Sequence, residues 1–514
     1  MSAQQVESAF SWESESLLSF QSTASLEEQV FVGGIFRDQF LQSATTINSV
    51  GKNDIFLAQI DENGNPIWLQ SGGSAQNDEL KKIVATNDQI YVTGTYWVTG
   101  QFDEVQLQAK RGNKSIFFLN YSTDGDANWG VSIDGSGNKN VNDIVIDGAG
   151  NLLLTGSFTD SLFFDGRLIG FTEQQSFFLL KISSEGDFIW SKQANDIFGK
   201  VEGIAIGVSK NNEVALTGNF IGTLQIESSQ VQTNTEDENV FLANFSADGE
   251  FRWLRSAGGV FPDEVVDLQY VDEEIYLTGN YFGRLEIDEN LIIQSLGLNE
   301  NIFLLAYDKN GEAISAYNIG DVDLERVTSM DIFRGQIVLC GFFQERMKVE
   351  NFIIEGVGSE LEGFVLNLDL TGNPLWLRPF HSDENLLLNE IHFRTLQQIH
   401  VIGDFTGNAQ FDDFQFATST FNPFLAEINN LTTSTKKYVP QSTDYQLHNS
   451  QDFLQISSKE TIESLQIFNL QGQLLLPHSK SNRIVTTFLP NGIYILRIFF
   501  QNGSQVTRLF TKLN

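Results

Sequence analysis

Apolar and polar residues alternate along most of this chain, and the clearest example is the segment Glu264–Tyr281. Two short alternating runs flank an acidic turn at Asp272–Glu274. In the second run, residues of one kind recur at every other position, namely Ile275, Leu277, Gly279 and Tyr281. A period of two places these side chains on one face of a strand. The segment therefore predicts two strands joined by a tight turn.

The same pattern recurs seven times at an almost constant spacing. Successive copies of the glycine lie 60, 62, 62, 61, 62 and 62 residues apart, at Gly34, Gly94, Gly156, Gly218, Gly279, Gly341 and Gly403. A Val or Leu lies two positions before each glycine, and a Phe or Tyr lies two positions after it. We interpret the glycine as a position where neighbouring backbone or a large side chain leaves no room for a Cβ atom.

A second motif runs in phase with the first and predicts a hairpin. Its Phe recurs at Phe56, Phe117, Phe178, Phe241, Phe303, Phe364 and Phe424. In the first six copies a turn glycine follows eight residues later, at Gly64, Gly125, Gly186, Gly249, Gly311 and Gly372. Four residues further on, Trp occupies every copy except the one with Ser315: Trp68, Trp129, Trp190, Trp253 and Trp376. Such turns between alternating runs are typical of tight β-hairpins.

Each repeat therefore predicts four antiparallel strands, with a longer polar connection between the second and the third, such as Gly222–Asn239. Seven units of this kind, none able to bury its sheet faces alone, predict an all-β fold: a seven-bladed β-propeller of four-stranded blades. The period of about 62 residues exceeds the roughly 40–45 of WD-type blades. An open solenoid is the alternative.

The two ends of the repeat array favour the ring over the solenoid. The seventh copy has Phe424 but no turn glycine and Trp after it, and the Trp position is Lys436. Trp12, in contrast, has no Phe-containing strand before it. We therefore expect Phe10–Trp12, within residues 8–13, to supply the outer strand of the last blade and to cover exposed sheet edges. Thr432–Val439 is the alternative source of that strand.

The unit x-x-I-Y-x-T-G-x-F, followed by D-x-F-L-A-x-x-D-x-x-G-x-x-x-W, resembles the seven-bladed β-propeller repeats common in exported bacterial proteins. The resemblance covers all seven repeats and is specific for the fold. That repeat family has no shared activity, so the resemblance implies no chemistry for this chain.

The alternation changes after Ile428. The stretch Asn429–Ser442 is rich in Asn, Thr, Ser and Lys, which is typical of a linker. Short alternating runs follow, at Phe453–Ile456, Ser464–Phe468, Leu474–Leu476, Ile484–Phe488, Ile493–Ile498 and Val506–Phe510. They predict a small β-sandwich. We place the propeller in residues 1–436 and this second domain in residues 437–514.

Three stretches of the second domain, IESLQIFNLQGQLLL, LPNGIYILRI and VTRLFTKL, closely resemble the type A sorting domain of the type IX secretion system of Bacteroidota. The resemblance covers about Tyr438–Asn514, and the motif residues are Gly472, Gly492, Tyr494, Arg497 and Lys512. It implies a secreted or cell-surface protein whose C-terminal domain is recognised by the secretion machinery at the outer membrane. It also implies a sortase partner, which commonly removes the domain.

Cargo of this kind needs a signal peptide to reach the periplasm. The N-terminus, MSAQQVESAFSWESESLL, has early acidic residues and no apolar core, so no signal peptide is visible as written. We hypothesise that Ser2–Gln4 is the end of a signal peptide whose front has been trimmed or whose start has been misassigned.

Composition excludes several classes of function. The formal net charge of −35 repels phosphate backbones and anionic lipid, so nucleic acid is not expected as a partner. The single cysteine, Cys340, allows no intramolecular disulfide and no cysteine-based metal site, and we expect it to be a buried, small apolar residue. The sequence contains no run of 18 apolar residues, so it predicts no membrane-spanning helix.

A polar residue near the start of the first strand recurs in six repeats, at Glu79, Asn142, Glu202, Glu264, Glu325 and Asn389. If the first strand lines a central channel, these side chains ring one mouth of it. Several carboxylates held together favour Ca²⁺, so one hypothesis is a site for a cation or an amine, and no other cofactor is expected. The alternative is that each side chain caps backbone groups of the neighbouring blade.

Two further features invite a functional interpretation. Trp97 is the one Trp outside the hairpin position and the N-terminus, so it is a candidate for stacking on a sugar, with packing on its own blade as the alternative. The turn motif resembles the Asp-box of sialidases and the tryptophan-docking motif of quinoprotein propellers, but its spacing differs from both. Its recurrence in six repeats favours a structural turn with a Trp clamp between sheets.

The sequence contains no recognisable catalytic arrangement. The five histidines have no ligand spacing, and G-x-S-x-G, P-loop and dinucleotide-loop motifs are missing. Our first hypothesis is a non-enzymatic, exported, monomeric propeller that binds protein or glycan. The second is a polysaccharide-acting hydrolase or lyase on the same scaffold. The even repeat length, without long irregular insertions, favours binding.

Overall fold

The computed structural model is built of strands and turns. It describes residues 5–430 except 44, 87, 112–113, 234–236, 296–298 and 358–360. In the C-terminal part it describes residues 445–449, 453–458, 461–468, 474–479, 483–486, 489–490, 492–500 and 505–512. The chain divides into two compact units, with the boundary between residues 432 and 433.

Strand β1 spans Val6–Ser11, and the first four blades follow it in chain order. Blade 1 contains β2 Leu18–Leu26, β3 Gln29–Gln42, β4 Thr45–Ile60 and β5 Pro66–Ser74. Blade 2 contains β6 Glu79–Ala85, β7 Gln89–Trp97, β8 Thr99–Phe102, β9 Val105–Gln108, β10 Lys114–Ser122 and β11 Ala127–Asp134. Blade 3 contains β12 Lys139–Ile146, β13 Leu152–Phe164, β14 Arg167–Ile182 and β15 Phe188–Gln193. Blade 4 contains β16 Asp196–Val208, β17 Val214–Ile226, β18 Ser229–Gln232, β19 Asn239–Phe245 and β20 Phe251–Ala257.

Three more blades complete the first unit. Blade 5 contains β21 Asp263–Val271, β22 Glu274–Phe282, β23 Arg284–Glu286, β24 Ile292–Gln294, β25 Glu300–Asp308 and β26 Ala313–Ile319. Blade 6 contains β27 Glu325–Phe333, β28 Gln336–Phe343, β29 Arg346–Val349, β30 Phe352–Glu355, β31 Glu362–Asp369 and β32 Pro374–Ser382. Blade 7 contains β33 Leu386–Phe393, β34 Gln398–Phe411 and β35 Phe414–Asn429.

The seven blades form a closed ring, so the first unit is a seven-bladed β-propeller. Within each of blades 1–6, four strands pair antiparallel in chain order. The innermost strands β2, β6, β12, β16, β21, β27 and β33 each contact the next one, and β33 contacts β2. These innermost strands surround a central channel.

The fourth strand of blade 7 comes from the other end of the chain. Strand β1 pairs antiparallel with β35, so that Phe10 lies opposite Leu425 and Ser11 opposite Phe424. The N-terminal strand thus covers the edge that β35 would otherwise expose, and it joins both ends of the array in one sheet.

The recurrent glycine has the steric role inferred from the sequence. A Cβ atom at Gly279 would lie 2.0 Å from the carbonyl oxygen of Glu264 and 2.5 Å from the ring of Phe303. At Gly94 the corresponding contacts are the carbonyl oxygen of Glu79 at 1.9 Å and the ring of Phe117. All seven glycines meet a carbonyl oxygen of the innermost strand in this way.

The hairpin tryptophans clamp neighbouring blades together. The rings of Trp68, Trp129, Trp190 and Trp253 pack on the turn glycine of the following blade, at Gly125, Gly186, Gly249 and Gly311. Each of these glycines has a positive φ, and the closest ring atoms leave no room for a side chain. The Trp253 indole also donates a hydrogen bond of 2.9 Å to the Lys309 carbonyl.

Trp12 does not occupy the hairpin Trp position of blade 7, although it follows directly on the strand that closes that blade. The β1–β35 register places Ser8 there, and Phe10 packs on the turn glycine Gly64 instead. Tyr317 packs on Gly372 in the same manner, which explains why Ser315 is tolerated. Trp12 lies in the core of blade 1 and donates to the Gly64 carbonyl at 2.9 Å.

The connection between the second and third strands is a second hairpin rather than a polar loop. In blades 1, 3 and 7 the long strands simply extend and stay paired, whereas blades 2, 5 and 6 use the separate pairs β8–β9, β23–β24 and β29–β30. Several of these hairpins also pair with the outer strand of the preceding blade, as β8 does with β5 and β34 with β32. We call the side of the ring that carries them the hairpin face.

The second unit contains β36 Tyr445–Asn449, β37 Phe453–Ser458, β38 Ile462–Phe468, β39 Leu474–Ser479, β40 Arg483–Val485, β41 Gly492–Phe500 and β42 Gln505–Lys512. They form two antiparallel sheets, in the orders β36-β37-β40 and β39-β38-β41-β42. Ile456 of the first sheet shares a core with Leu465, Leu496 and Ile498 of the second. The second unit is thus a small β-sandwich.

Candidate functional site

A β-bulge interrupts every innermost strand at the same place. The extra residue is Gln21, Lys81, Asn142, Ile204, Val266, Thr328 or Asn389. The bulge residue and the one after it line a cavity of about 190 Å³ on the channel, to which all seven blades contribute. Because a bulge re-aims side chains, this position decides what the channel wall presents.

Bulge side chains bind the backbone of the next blade. The Asn142 amide donates to the Gly203 carbonyl at 2.8 Å, and the Asn389 amide donates to the Phe20 carbonyl at 3.0 Å. Thr328 does the same through its hydroxyl, at 2.7 Å from the Leu388 carbonyl. These contacts are the backbone capping that the sequence analysis gave as its alternative for Asn142 and Asn389.

In blades 3, 5 and 7 the next residue along the strand is a carboxylate that accepts a backbone N–H of the following blade. Asp143 accepts the Ile206 N–H at 2.9 Å, and Asp267 accepts the Met330 N–H at 3.0 Å. Glu390 accepts the Thr23 N–H at 2.6 Å across the junction between the last and first blades. Blades 3 and 7 therefore each offer both a donor and an acceptor to the following blade.

Lys82 balances the carboxylates of the channel. Its amino group pairs with Glu390. Burial opposes the charged form of Lys82, but Glu390, Asp143 and Asp267 hold its pKa above the usual value. Burial also raises the pKa of Asp143 to about 6 and that of Asp267 to about 7, against the attraction of Lys82. These channel groups are engaged in holding the ring together.

The six residues of the expected ring do not share one structural position. The residues whose carbonyl meets the recurrent glycine are Ser19, Glu79, Asn140, Glu202, Glu264, Arg326 and Leu387. Asn142 and Asn389 lie two residues beyond this position, on the bulge, and Glu325 lies one residue before it. In blade 6 the position holds a cation, because Arg326 pairs with both Glu264 and Glu300.

The glutamates of the expected ring each have their own hydrogen-bond partners. Glu79 is exposed and accepts a hydrogen bond from Thr95 at 3.3 Å, and Glu202 accepts one from Asn142 at 2.8 Å. Glu325 is fully buried and accepts the Asp321 N–H at 3.2 Å, and burial raises its pKa to about 8. Within the described part of the chain, no group of three or more His, Cys, Asp or Glu side chains is placed to hold a metal ion. The Ca²⁺ site stays a hypothesis.

Glu325 belongs with a different set of buried carboxylates. Asp78 and Asp263 occupy the corresponding place one residue before Glu79 and Glu264, and both are fully buried. Each accepts backbone N–H groups in the loop that enters its blade, from Ser74 and from Gly259. Burial raises the pKa of Asp78 to about 7 and of Asp263 to about 8. Sequence spacing alone did not separate this set from the exposed glutamates.

The remaining sequence candidates lie apart from the channel. Trp97 ends β7 at the base of the blade 2 hairpin, is partly buried, and donates its backbone N–H to Ser74 at 3.3 Å. Cys340 is fully buried, and burial raises its thiol pKa to about 12, as suits an inert apolar residue.

The sorting-domain residues fall on the last two strands where they are described. Gly492 pairs with Lys512 across β41 and β42, and Arg497 pairs with Thr507. The Tyr494 hydroxyl donates to the Pro490 carbonyl at 2.8 Å, and Lys512 is buried. Gly472 lies outside the described residues.

Fold and geometry define this protein as a seven-bladed β-propeller followed by a β-sandwich domain. Residues 450–512 match the family model described as a secretion system C-terminal sorting domain, which confirms the resemblance seen in the sequence. The protein is therefore an exported protein, secreted or held at the cell surface, and is handled by the type IX secretion system. No helix among the described residues is long and apolar enough to cross a membrane.

Similarity to known proteins is otherwise remote. No curated protein sequence matches the chain. Among solved structures, a phage phi92 endosialidase is 8% identical, with a TM-score of 0.38 over 99% of this chain and 79% of that one. The extracellular domains 1-2 of Drosophila semaphorin 1b are 8% identical, with a TM-score of 0.39 over 82% of this chain and 86% of that one. A Synechocystis apocarotenoid oxygenase mutant is 10% identical, with a TM-score of 0.32 over 82% and 94%. Similarity at this level assigns no activity.

Proposed function

We propose that this exported propeller is a non-catalytic binding module that engages a surface protein or glycan through its hairpin face. One observation carries the proposal: every blade places a large, exposed apolar side chain in a hairpin or adjoining loop of that face. Their exposed fractions run from 43% to 80%, at Val50, Val98, Phe171, Phe198, Val260, Phe261, Val322, Val357 and Phe421.

Exposed apolar side chains are ordinary when they are scattered, but their recurrence on one face is typical of an interaction surface. Aromatic residues in particular are enriched where proteins meet their partners. Four other exposed aliphatic residues, Ile67, Ile189, Ile314 and Leu375, lie on the outer strands one position before the hairpin Trp position. Those four belong to the rim of the ring rather than to the hairpin face.

The polar groups of the channel support binding over catalysis. Asp143, Asp267 and Glu390 each bind the following blade, and Lys82 pairs with Glu390 across the channel, so a reaction would have to break the contacts that hold the ring. His392 and His400 are packed against Ser25 at the junction of blades 7 and 1, and burial lowers the pKa of both. We also propose that the propeller is monomeric and that a sortase removes the sorting domain.

The decisive experiment applies the purified propeller to arrays of glycans and of outer-surface proteins, with a parallel assay for released reducing sugar. We expect saturable binding to one class of ligand without any sugar release. Release of sugar by the protein would support the hydrolase or lyase alternative and overturn this proposal.

A further inference from the structure

A cleft of about 610 Å³ opens on the hairpin side of the junction between blades 6 and 7. One wall is the end of β32, with Leu377, Pro379 and His381, and the other is the hairpin end of β34, with Asn408 and Gln410. Strands β32 and β34 pair only at His381 and Ser382, so they part on one side of that pairing. The volume lies within the range of about 300–1,000 Å³ that is typical of small-molecule sites.

The corresponding place between blades 2 and 3 is filled by the protein itself. There Asp134 pairs with Phe163 across the strands, as His381 does with Gln410. The Arg111 guanidinium lies 3.8 Å from the centre of the Phe163 ring and 3.5 Å from Asp134. Gln410 stands in the place of Phe163 and has no aromatic ring, so the described residues do not repeat that stack between blades 6 and 7.

The polar groups of the cleft are held in fixed orientations. Glu362, whose side chain is only 2% exposed, pairs with His381 Nδ1 and also accepts the Val357 backbone N–H. Because Nδ1 is taken, Nε2 is the ring nitrogen that can meet a ligand. Arg378 pairs with Asp412 at 2.9 Å, which fixes its guanidinium along the same wall. Pre-oriented groups of this kind bind a ligand at a lower entropic cost.

The charges of the cleft disfavour an anionic ligand. Arg378 is outnumbered by the carboxylates of Glu362, Asp383 and Asp412, within a protein of formal net charge −35. The remaining polar groups are an imidazole, two side-chain amides and the Ser382 hydroxyl, beside the aliphatic surfaces of Val357, Leu377 and Pro379. Amides, imidazole and carboxylates exchange hydrogen bonds with hydroxyl groups, and aliphatic surfaces pack against the C–H faces of sugar rings.

We propose that this cleft binds a short, neutral oligosaccharide, with His381, Asn408 and Gln410 contacting its hydroxyl groups. The inference rests on the proposed binding function and deepens it by naming the site and the class of ligand. It places the sugar on the side of the ring that carries the exposed apolar residues, but not at Trp97.

The test uses substitutions that fill the cleft and leave the hydrophobic core unchanged. Val357→Trp and Gln410→Phe each add a ring inside the cleft, the second imitating the Phe163 plug. Ile67→Trp is the matched control, because Ile67 is similarly exposed, at 61% against 67% for Val357, but lies on an outer strand away from the hairpin face. Binding of neutral oligosaccharides from glucan, mannan, xylan and chitin is measured by calorimetry for the full chain, with polygalacturonate fragments as the anionic comparison.

We expect a neutral oligosaccharide to bind the wild type and Ile67→Trp equally, and to bind both cleft variants about tenfold more weakly or worse. Unchanged thermal stability of the variants shows that they are folded. If both cleft variants bind the oligosaccharide as tightly as the wild type, the cleft is not the sugar site. That result would leave the proposed binding function unaffected. If no neutral oligosaccharide binds, or if the anionic fragments bind more tightly, the cleft is also refuted as a site for neutral sugars. The proposed binding function is tested separately, by the surface proteins on the array.

Discussion

At the scale of single residues, the identity of the recurrent residues is explained by contacts between strands and not by a functional site. Gly279 is glycine because the Glu264 carbonyl and the Phe303 ring occupy the space of a Cβ atom. Glu264 itself, at first a candidate cation ligand, is paired with Arg326. The glycine could be predicted from its recurrence, whereas the arginine partner could not, because the two residues lie in different repeats.

Gly279→Ala tests the steric argument. We expect it to lower the free energy of unfolding by about 2–4 kcal/mol, since backbone or an aromatic ring must move. Gly150→Ala is the control, because Gly150 has a positive φ but no atom within 4 Å of its Cβ position, so that only about 1 kcal/mol of backbone strain is expected. Urea unfolding of the two variants provides the comparison. Equal losses would show that crowding is not the reason for the glycine.

Glu325 gives a prediction about pH. Its pKa is about 8 in the folded protein against an ordinary value of 4.5, so the folded state keeps a proton that the unfolded state has lost. Its contribution to stability is present in full below pH 4.5 and is lost as the pH rises through 8. We expect Glu325→Gln to gain thermal stability over the wild type progressively between pH 5 and 9. Glu79→Gln, an exposed member of the same expected set, serves as control, and a constant difference for Glu325→Gln would refute the assignment.

At the scale of elements, the sequence repeats predict the strands and hairpins of each blade. A difference of one residue in a turn is nevertheless enough to misalign equivalent side chains between repeats. The blade strands and the Trp hairpin follow from the repeats, because their turns and alternation recur in phase. The turn between the first two strands varies by one residue, so the position that meets the recurrent glycine lies 15 residues before it for Arg326 and Gly341 but 16 for Asn140 and Gly156. A count from the glycine therefore cannot separate Glu325 from Arg326.

Strand β1 offers the clearest test at this scale. Deleting residues 1–13 removes the partner of β35 and also Trp12, which is only 1% exposed in the core of blade 1. We expect a large fall in the melting temperature and a tendency to aggregate through the uncovered strand edge. Thermal unfolding and light scattering would show both. An unchanged melting temperature would favour the segment Thr432–Val439 as the closing strand.

At the scale of the whole molecule, the residues that hold the ring together are different from those that are exposed on its hairpin face. The Asn389 contact with the Phe20 carbonyl and the pair of Glu390 with Lys82 hold the ring closed. The hairpin face and the cleft between blades 6 and 7 are the parts that differ from blade to blade, and repetition cannot predict them. The cleft depends on residues from two repeats, Glu362 with His381 in one and Gln410 in the next, and no spacing in the sequence brings them together.

The central claim is that the hairpin face is the binding surface of an exported propeller. The most direct measurement is the affinity of the Phe171→Asp/Phe198→Asp double variant for the ligand found on the arrays, compared with Ile67→Asp/Ile189→Asp on the outer strands. All four residues are exposed, so neither variant should lose stability. The account predicts that binding is lost when the hairpin face is altered and kept when the rim is altered. The opposite result, or equal affinities, would contradict it.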